Sequence, residues 1–225
     1  ADNLDSRINN GYPISSHQIN IDILIRYPEF KYYYLSKYLC NHFQKIYNFP
    51  NYIESHLSAD SNIYFDMKVK REEKVILFYY PDKKGRMSEL IKEIVTILTK
   101  NRIYCIVLPF NFKYESKHIE FLGAQKPQQL NELYNKCKIG IVFSNTNPSR
   151  LSYEMFFSGL NVIEYDSEFT KYDVSNEYFT KINTSSNIVN IVKELFNKNN
   201  NEKRNNFVKK YGEINELDKF LNYLD

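Results

Sequence analysis

The sequence predicts an α/β protein built on an open, doubly wound parallel sheet with a helical flank. Short apolar runs recur through the middle of the chain, and segments with apolar residues at helical spacing separate them. The runs are continuous rather than alternating, which suits strands covered on both faces.

The expected strands are residues 75–80 (VILFYY), 103–109 (IYCIVLP), 139–144 (IGIVFS) and 162–165 (VIEY), with a shorter one at 119–122 (IEFL). Between the first two, Met87, Leu90, Ile91, Ile94, Val95 and Leu98 follow helix spacing. Leu130, Leu133, Tyr134 and Cys137 do the same, with Pro127 placed in the first helical turn. A third helix is expected over 149–158, where Gly159 supplies a left-handed stop. A fourth carries Ile188, Ile191, Val192, Leu195 and Phe196, with Ser185 or Ser186 as N-cap. This alternation implies right-handed βαβ units.

The flanks differ. Residues 1–71 hold one expected strand, 19–25, and one helix, about 31–47 by its spacing, which is too little for an independent domain. The Asn- and Lys-rich stretch 197–206 reads as an exposed turn. Beyond it Leu217, Phe220, Leu221 and Leu224 form an apolar stripe. That stripe is expected to cover Ile21, Ile23, Leu35 and Leu39 of the N-terminal segment rather than the central sheet.

Composition excludes several classes. With 225 residues, 43% of them hydrophobic, the chain has enough apolar material for a core. A net charge of +3 is too small to argue for nucleic acid. Cys40, Cys105 and Cys137 are odd in number and widely spaced, against a disulfide framework and in keeping with a reducing cytoplasm. Cys105 in its apolar run and Cys137 on its helix face read as small core residues. The longest apolar run, 75–80, is too short to span a bilayer. The polar start resembles no signal peptide, and the absence of an initial methionine suggests a fragment.

In an open α/β sheet ligands bind outside the carboxyl ends of the strands, so three loops matter. The loop after 75–80, Pro81 to Arg86 (PDKKGR), sets Lys83, Lys84 and Arg86 before a helix. Anions favour such a place, and Arg86 suits a phosphate; a solvated basic turn has the same composition. Gly123, after 119–122, allows backbone to approach a flat ligand, and a plain tight turn is the alternative. The third loop, Ser144 to Glu154 (SNTNPSRLSYE), offers Ser149 as N-cap and the amides of Ser149, Arg150 and Leu151 to an anion. Glu154 either accepts hydrogen bonds from a ribose diol or faces water.

Familiar catalytic patterns are absent. His17, His42, His56 and His118 are scattered, and the chain has neither a metalloprotease H-E-x-x-H nor a G-x-S-x-G elbow. The P-loop and dinucleotide fingerprints are missing as well.

Residues 121–144 (FLGAQKPQQLNELYNKCKIGIVFS) and 148–163 (PSRLSYEMFFSGLNVI) resemble the C-terminal, donor-binding domain of GT-B-type glycosyltransferases of the retaining family four. With 78–86 (FYYPDKKGR) the resemblance covers residues 72–198. That family often pairs two glutamates as E-x7-E. Glu154 matches the second, whose implied role is the donor ribose, whereas Thr146 stands at the first. This is closest to bacterial rhamnosyltransferase-like members, which also share Asn147-Pro148-Ser149 before the helix.

The resemblance implies a Rossmann-like sheet and a sugar moved from a nucleotide-diphosphate donor to a glycan or lipid-linked acceptor. The setting implied is bacterial surface polysaccharide synthesis, in the cytoplasm or at the inner face of the plasma membrane. Residues 1–66 then correspond to a remnant of the N-terminal acceptor domain with its linker, 67–198 to the nucleotide-sugar-binding domain, and 199–225 to a C-terminal crossing helix. The diphosphate would lie against Ser149, Arg150 and Leu151, neutralised by Lys84 and Arg86, with the base near Gly123. No Asp-x-Asp pattern is present, so no metal is expected. Two rival readings are a non-catalytic, flavodoxin-like nucleotide-binding module and a GT-B-fold sugar-nucleotide epimerase. A response-regulator version of the first needs carboxylates where Lys83, Lys84 and Arg86 stand.

Overall fold

The computed structural model describes residues 31–34, 36–48, 51–81, 86–144, 149–173 and 177–224. The expected strand 19–25, together with Ile21, Ile23 and Leu35, lies outside the described residues, as do the side chains of Leu39 and Leu224.

The first described segment is a small parallel sheet of β1 (Tyr32–Tyr34) and β2 (Tyr52–Glu54), joined by α1 (Lys37–Tyr47). The helix expected over 31–47 is thus shorter at its start. Tyr32, Tyr33 and Tyr34 extend instead, because adjacent aromatics favour a strand paired with a partner.

The main sheet holds β3 (Glu72–Tyr79), β4 (Tyr104–Pro109), β5 (Ile119–Phe121), β6 (Cys137–Val142), β7 (Asn161–Tyr165) and β8 (Thr180–Ile182). All pairs are parallel, in the order β5-β4-β3-β6-β7-β8. Strand order reverses between β3 and β6, which opens a crevice at their carboxyl ends.

Helices cover both faces. One face carries α2 (Ser88–Lys100), and α6 (Ile188–Phe196) lies beside it over Val75, Leu77, Ile139, Ile141 and Ile163. The other carries α3 (Pro127–Lys136) and α4 (Arg150–Phe157) over Ile76, Phe78, Ile106 and Val162. The alternation along each strand is what two apolar layers demand of a fully covered sheet. Gly140 of β6 lets α4 come close, since a Cβ there would collide with Met155. Gly159 stops α4 at φ +104°, the left-handed conformation expected of it.

Several local expectations are corrected. Cys137 opens β6 instead of closing α3, which ends at Lys136. The N-cap of α6 is Asn187 at φ 64°, not Ser185 or Ser186, since asparagine tolerates the left-handed region. Short α5 (Glu168–Asp173) and β8 lacked a periodic signal. The stretch 197–206 is not an exposed turn. α7 (Asn201–Tyr211) begins within it, and Asn200 and Arg204 are buried. Asn200 donates its amide to Asn161 Oδ1 at 2.7 Å, which is how a polar residue tolerates burial.

The stripe on α8 (Glu213–Leu224) also lies differently. Leu217 and Leu221 stay about half exposed at 52% and 49%. Phe220 of the expected stripe does turn toward the N-terminal segment, but its neighbour on that face is Glu216 rather than Leu217 or Leu221. Phe220 meets Tyr33 edge-on at 5.1 Å, and Glu216 accepts from Ser55 Oγ and from the His56 amide.

An ion-pair node ties distant segments of the chain together. Asp66 accepts from Arg71 at 2.8 Å and from Arg204 at 3.0 Å. Arg71 also donates to the carbonyls of Tyr134 (2.9 Å) and Ser158 (2.7 Å), at the ends of α3 and α4. Arg204 reaches the Gly159 carbonyl at 2.8 Å. Cations suit helix carboxyl ends, where unpaired carbonyls gather. The three cysteines are free and buried, Cys40 in α1, Cys105 in β4 and Cys137 in β6.

Candidate functional site

Two loops leave the sheet on either side of the crevice, one after β3 and one after β6. These are the basic and the Ser-rich loops singled out in the sequence. Lys83, Lys84 and Gly85 of the first, and residues 145–148 of the second, lie outside the described residues.

Arg86, at the end of the first loop, lies with its guanidinium 5.9 Å from the Tyr80 ring centre. Its Nη1 is buried and finds no acceptor among the described residues. Ser149 occupies the N-cap position of α4 with extended φ −96° and ψ 120°. It is 3% exposed, and its hydroxyl neither caps the helix nor meets another described partner. A buried donor without an acceptor costs about 1–3 kcal/mol, so two of them beside one crevice mark a place where a ligand oxygen would be welcome.

Glu154, on the next turn of α4, is buried at 8% exposure rather than facing water. Burial pushes its carboxyl up, while Arg150 and a hydrogen bond from the Tyr64 hydroxyl pull it down. Tyr134, whose buried hydroxyl has no described partner, sits in the field of Glu154, Tyr64 and Tyr80. A carboxylate ringed by phenols is a directional acceptor for hydroxyl donors.

Glu164 lies one residue from the end of β7 and is 1% exposed. It accepts from Ser152 Oγ and from the Tyr165 amide at 3.2 Å. Burial pushes its carboxyl up to about 7, against the pull of those bonds, of Arg86 and of the Ser144 amide.

The fold therefore sets Arg86 and Ser149 past the carboxyl ends of the adjacent strands β3 and β6, with Glu154 on the helix that follows. Gly123 lies apart, past β5, two strands or about 10 Å from β3. A Cβ there would meet nothing within 4 Å, which leaves room for a flat ligand. Arg150 turns its side chain to the Ser58 carbonyl at 3.0 Å and lies 4.0 Å from Glu154 Oε1. Leu151 packs against the core, so its side chain is not turned to the crevice.

Sequence reasoning missed Glu164, Ser152, Tyr64 and Tyr134. A charge inside the apolar run NVIEY was the available signal for Glu164. Tyr64 reaches Glu154 across 90 residues, which no local pattern announces.

A polar hollow of about 320 Å³ lies at the opposite, amino end of the strands, beside Arg71, Asn161 and Arg204. Asp66 and helix-end carbonyls engage both guanidinium groups there, while Arg204 Nε has no acceptor among the described residues. Among the described residues no group of His, Cys, Asp and Glu is placed to hold a metal ion, and no helix is long and apolar enough to cross a membrane.

No family model and no curated protein matches the sequence. Solved structures do resemble the fold. TarM superposes with TM-score 0.68 at 15% identity, over 93% of this chain and 46% of that one. A glycosyltransferase from Rickettsia africae gives 0.71 at 12%, over 90% and 66%. HepE from Anabaena, in complex with UDP and glucose, gives 0.66 at 11%, over 92% and 67%.

The architecture is thus a doubly wound, Rossmann-like sheet of the kind that carries ligands at a topological switch point. More narrowly, it is the fold of GT-B glycosyltransferases. The chain spans about half to two thirds of the length of these neighbours.

Proposed function

We propose that this chain is the donor-binding half of a glycosyltransferase of the retaining family four, akin to rhamnosyltransferase-like members. It binds a nucleotide-diphosphate sugar, and with an acceptor-binding half it transfers a hexosyl group to a glycan or lipid-linked acceptor in surface polysaccharide synthesis. Residues 1–66 are read as the end of the acceptor domain with its linker, 67–198 as the donor domain and 199–225 as the return crossing. A cytoplasmic place, at or near the inner membrane face, suits such a substrate.

The observation that carries this is the pair of orphaned buried donors, Arg86 Nη1 and Ser149 Oγ, beside the switch-point crevice. When the glycosidic bond to the donor breaks, negative charge grows on the diphosphate. Fixed donors aimed at that charge act most strongly in the transition state. The α4 amides of Arg150 and Leu151 add the positive end of a helix, and Lys84 belongs to the same basic loop. Glu154, held by Tyr64, would accept from the ribose diol, and the base would lie over Gly123. The solved Anabaena relative in fold holds UDP and glucose, which supports a nucleotide-sugar donor here.

Calorimetry with UDP, GDP and dTDP tests the reading. We expect one of them to bind with or without EDTA, because cationic groups rather than a metal meet the diphosphate. Glu154→Gln should weaken that binding by about 1.5–3 kcal/mol, the worth of a charge-assisted hydrogen bond. Its melting temperature should hold, since burial already opposes the charge on Glu154. Heat from none of the nucleotides, or strict dependence on a divalent ion, would sink the proposal.

A further inference from the structure

We propose that Glu164 is a positioning residue of this crevice. From β7 it fixes the described ends of the β6–α4 connection, and with them the first turn of α4. The inference rests on reading the crevice as the diphosphate site.

Three donors converge on this one carboxyl group: Ser152 Oγ from α4, the Ser144 amide just past β6, and the Tyr165 amide of its own strand. An ionised carboxylate is acceptor-only and can serve all three at once. Glu164, Ser152 and Ser144 are each 1% exposed or less, so water cannot replace any of these bonds. Ser152 in turn donates its own amide to the Ser149 carbonyl at 3.2 Å. Two hydrogen bonds therefore tie Glu164, through the side chain and then the amide of Ser152, to the backbone of Ser149, the residue that bears the orphaned hydroxyl.

A structural carboxylate would not need this location. An apolar residue in its place would leave the buried Ser152 hydroxyl without its acceptor. Arg86 is the cation that draws Glu164 toward ionisation, and it is also the orphaned donor of the other loop. Lys181, the register partner of Glu164 on β8, instead gives its ammonium to the Thr170 carbonyl. One buried carboxylate thus bonds to the end of one loop and lies in the field of the cation that ends the other.

Protonation should loosen the arrangement. A carboxyl hydrogen makes one oxygen a donor, so either the Ser152 hydroxyl must turn round to accept it or an amide must move away. Burial holds this carboxyl near 7, so the change falls within the working range of a protein. Direct repulsion between Glu164 and a diphosphate would act with the opposite sign. Positioning makes affinity fall on acidification, whereas repulsion makes it rise.

UDP-glucose, GDP-mannose and dTDP-rhamnose suit the test, because diphosphate diesters lack the near-neutral ionisation of a phosphate monoester. For whichever binds, wild-type affinity should fall about tenfold between about pH 8 and pH 6. Glu164→Gln should bind about tenfold more weakly at the upper pH and show little slope, because its amide cannot accept all three donors. Ser152→Ala should lose about fivefold, and adding it to Glu164→Gln should cost little more.

If the wild type binds none of the three, the donor reading falls and takes this inference with it. If the wild type binds and Glu164→Gln matches it in affinity and slope, only the role of Glu164 is lost. Affinity that rises on acidification overturns the positioning role directly. Should Glu164→Gln fail to fold, a Ser152→Ala protein with wild-type affinity and slope decides against the proposal equally well.

Discussion

Replacing Asp66 by alanine is expected to lower stability by about 3–5 kcal/mol, the cost of leaving buried charge unpaired. In a chain of this size that is a fall of roughly 10 °C in Tm. Asp66 is the carboxylate between Arg71 and Arg204, and the Arg204 side chain is 8% exposed. Without it, two guanidinium groups face each other with only carbonyls to balance them. The effect should spread, because Arg71 closes the ends of α3 and α4 while Arg204 holds α7 to the Gly159 turn.

The same node fixes a pH dependence. Burial pushes the Asp66 carboxyl up, but bonds from Lys68 and Arg71 outweigh it and hold the group at about 2. A carboxylate held below its unfolded value contributes stability that is complete above that value. The contribution is lost as pH falls through the folded one. Wild type should therefore lose stability between about pH 4 and pH 2 on this account, and Asp66→Ala should lack that component. Thermal melts of both proteins across this range are the check. A difference below about 1 kcal/mol would mean that the carbonyls alone satisfy both arginines.

Phe207→Ala is expected to cost about 3–5 kcal/mol, the loss typical of a fully buried ring. Phe207 is 0% exposed and stands among Tyr153, Phe156, Phe157, Tyr178, Phe179 and Tyr211. The nearest ring centres lie 4.5 Å and 4.8 Å away, at Tyr211 and Tyr178. Rings from α4 and from the 178–179 turn cannot all move inward together, so the cavity would stay open. Urea unfolding should show a lower midpoint with an unchanged m-value. A loss under about 1 kcal/mol would show α7 to be a superficial attachment. Because Arg204 precedes Phe207 by one turn, the two losses should not add fully.

Much of the sheet could be read from the sequence because β3, β4, β6 and β7 are continuous apolar runs. Such runs need no distant context to declare themselves. The helices over Ile91 to Leu98 and Ile188 to Leu195 were equally plain, since each buries one apolar face. α7 was hidden because its buried face includes Arg204, and Asn200 beside it is buried as well, each matched to partners far off in sequence. The α8 face was read only in part for the same reason: Phe220 meets Tyr33 as expected, but Glu216, a charged residue, points inward to Ser55 and His56 where Leu217 was expected.

The placing of the candidate residues was legible to a similar depth: Arg86 and Ser149 end loops that the strand–helix alternation sets at the carboxyl ends of strands, and Glu154 follows within α4. Their environment was not legible, because Tyr64 and Tyr134 approach Glu154 only after the chain has folded.

The burial of all three cysteines gives this chain an unusually quiet thiol chemistry. Burial pushes Cys137 up to about 12, and it raises Cys105 and Cys40 as well. Thiolate is the reactive form, so the folded protein should ignore maleimides at neutral pH. A single cysteine put in place of Gly123, where the surroundings are open, would then be the one that reacts. A fluorophore could be mounted beside the expected base without first stripping the native sulfurs from the core, and its response to nucleotide could be followed in the otherwise unaltered chain.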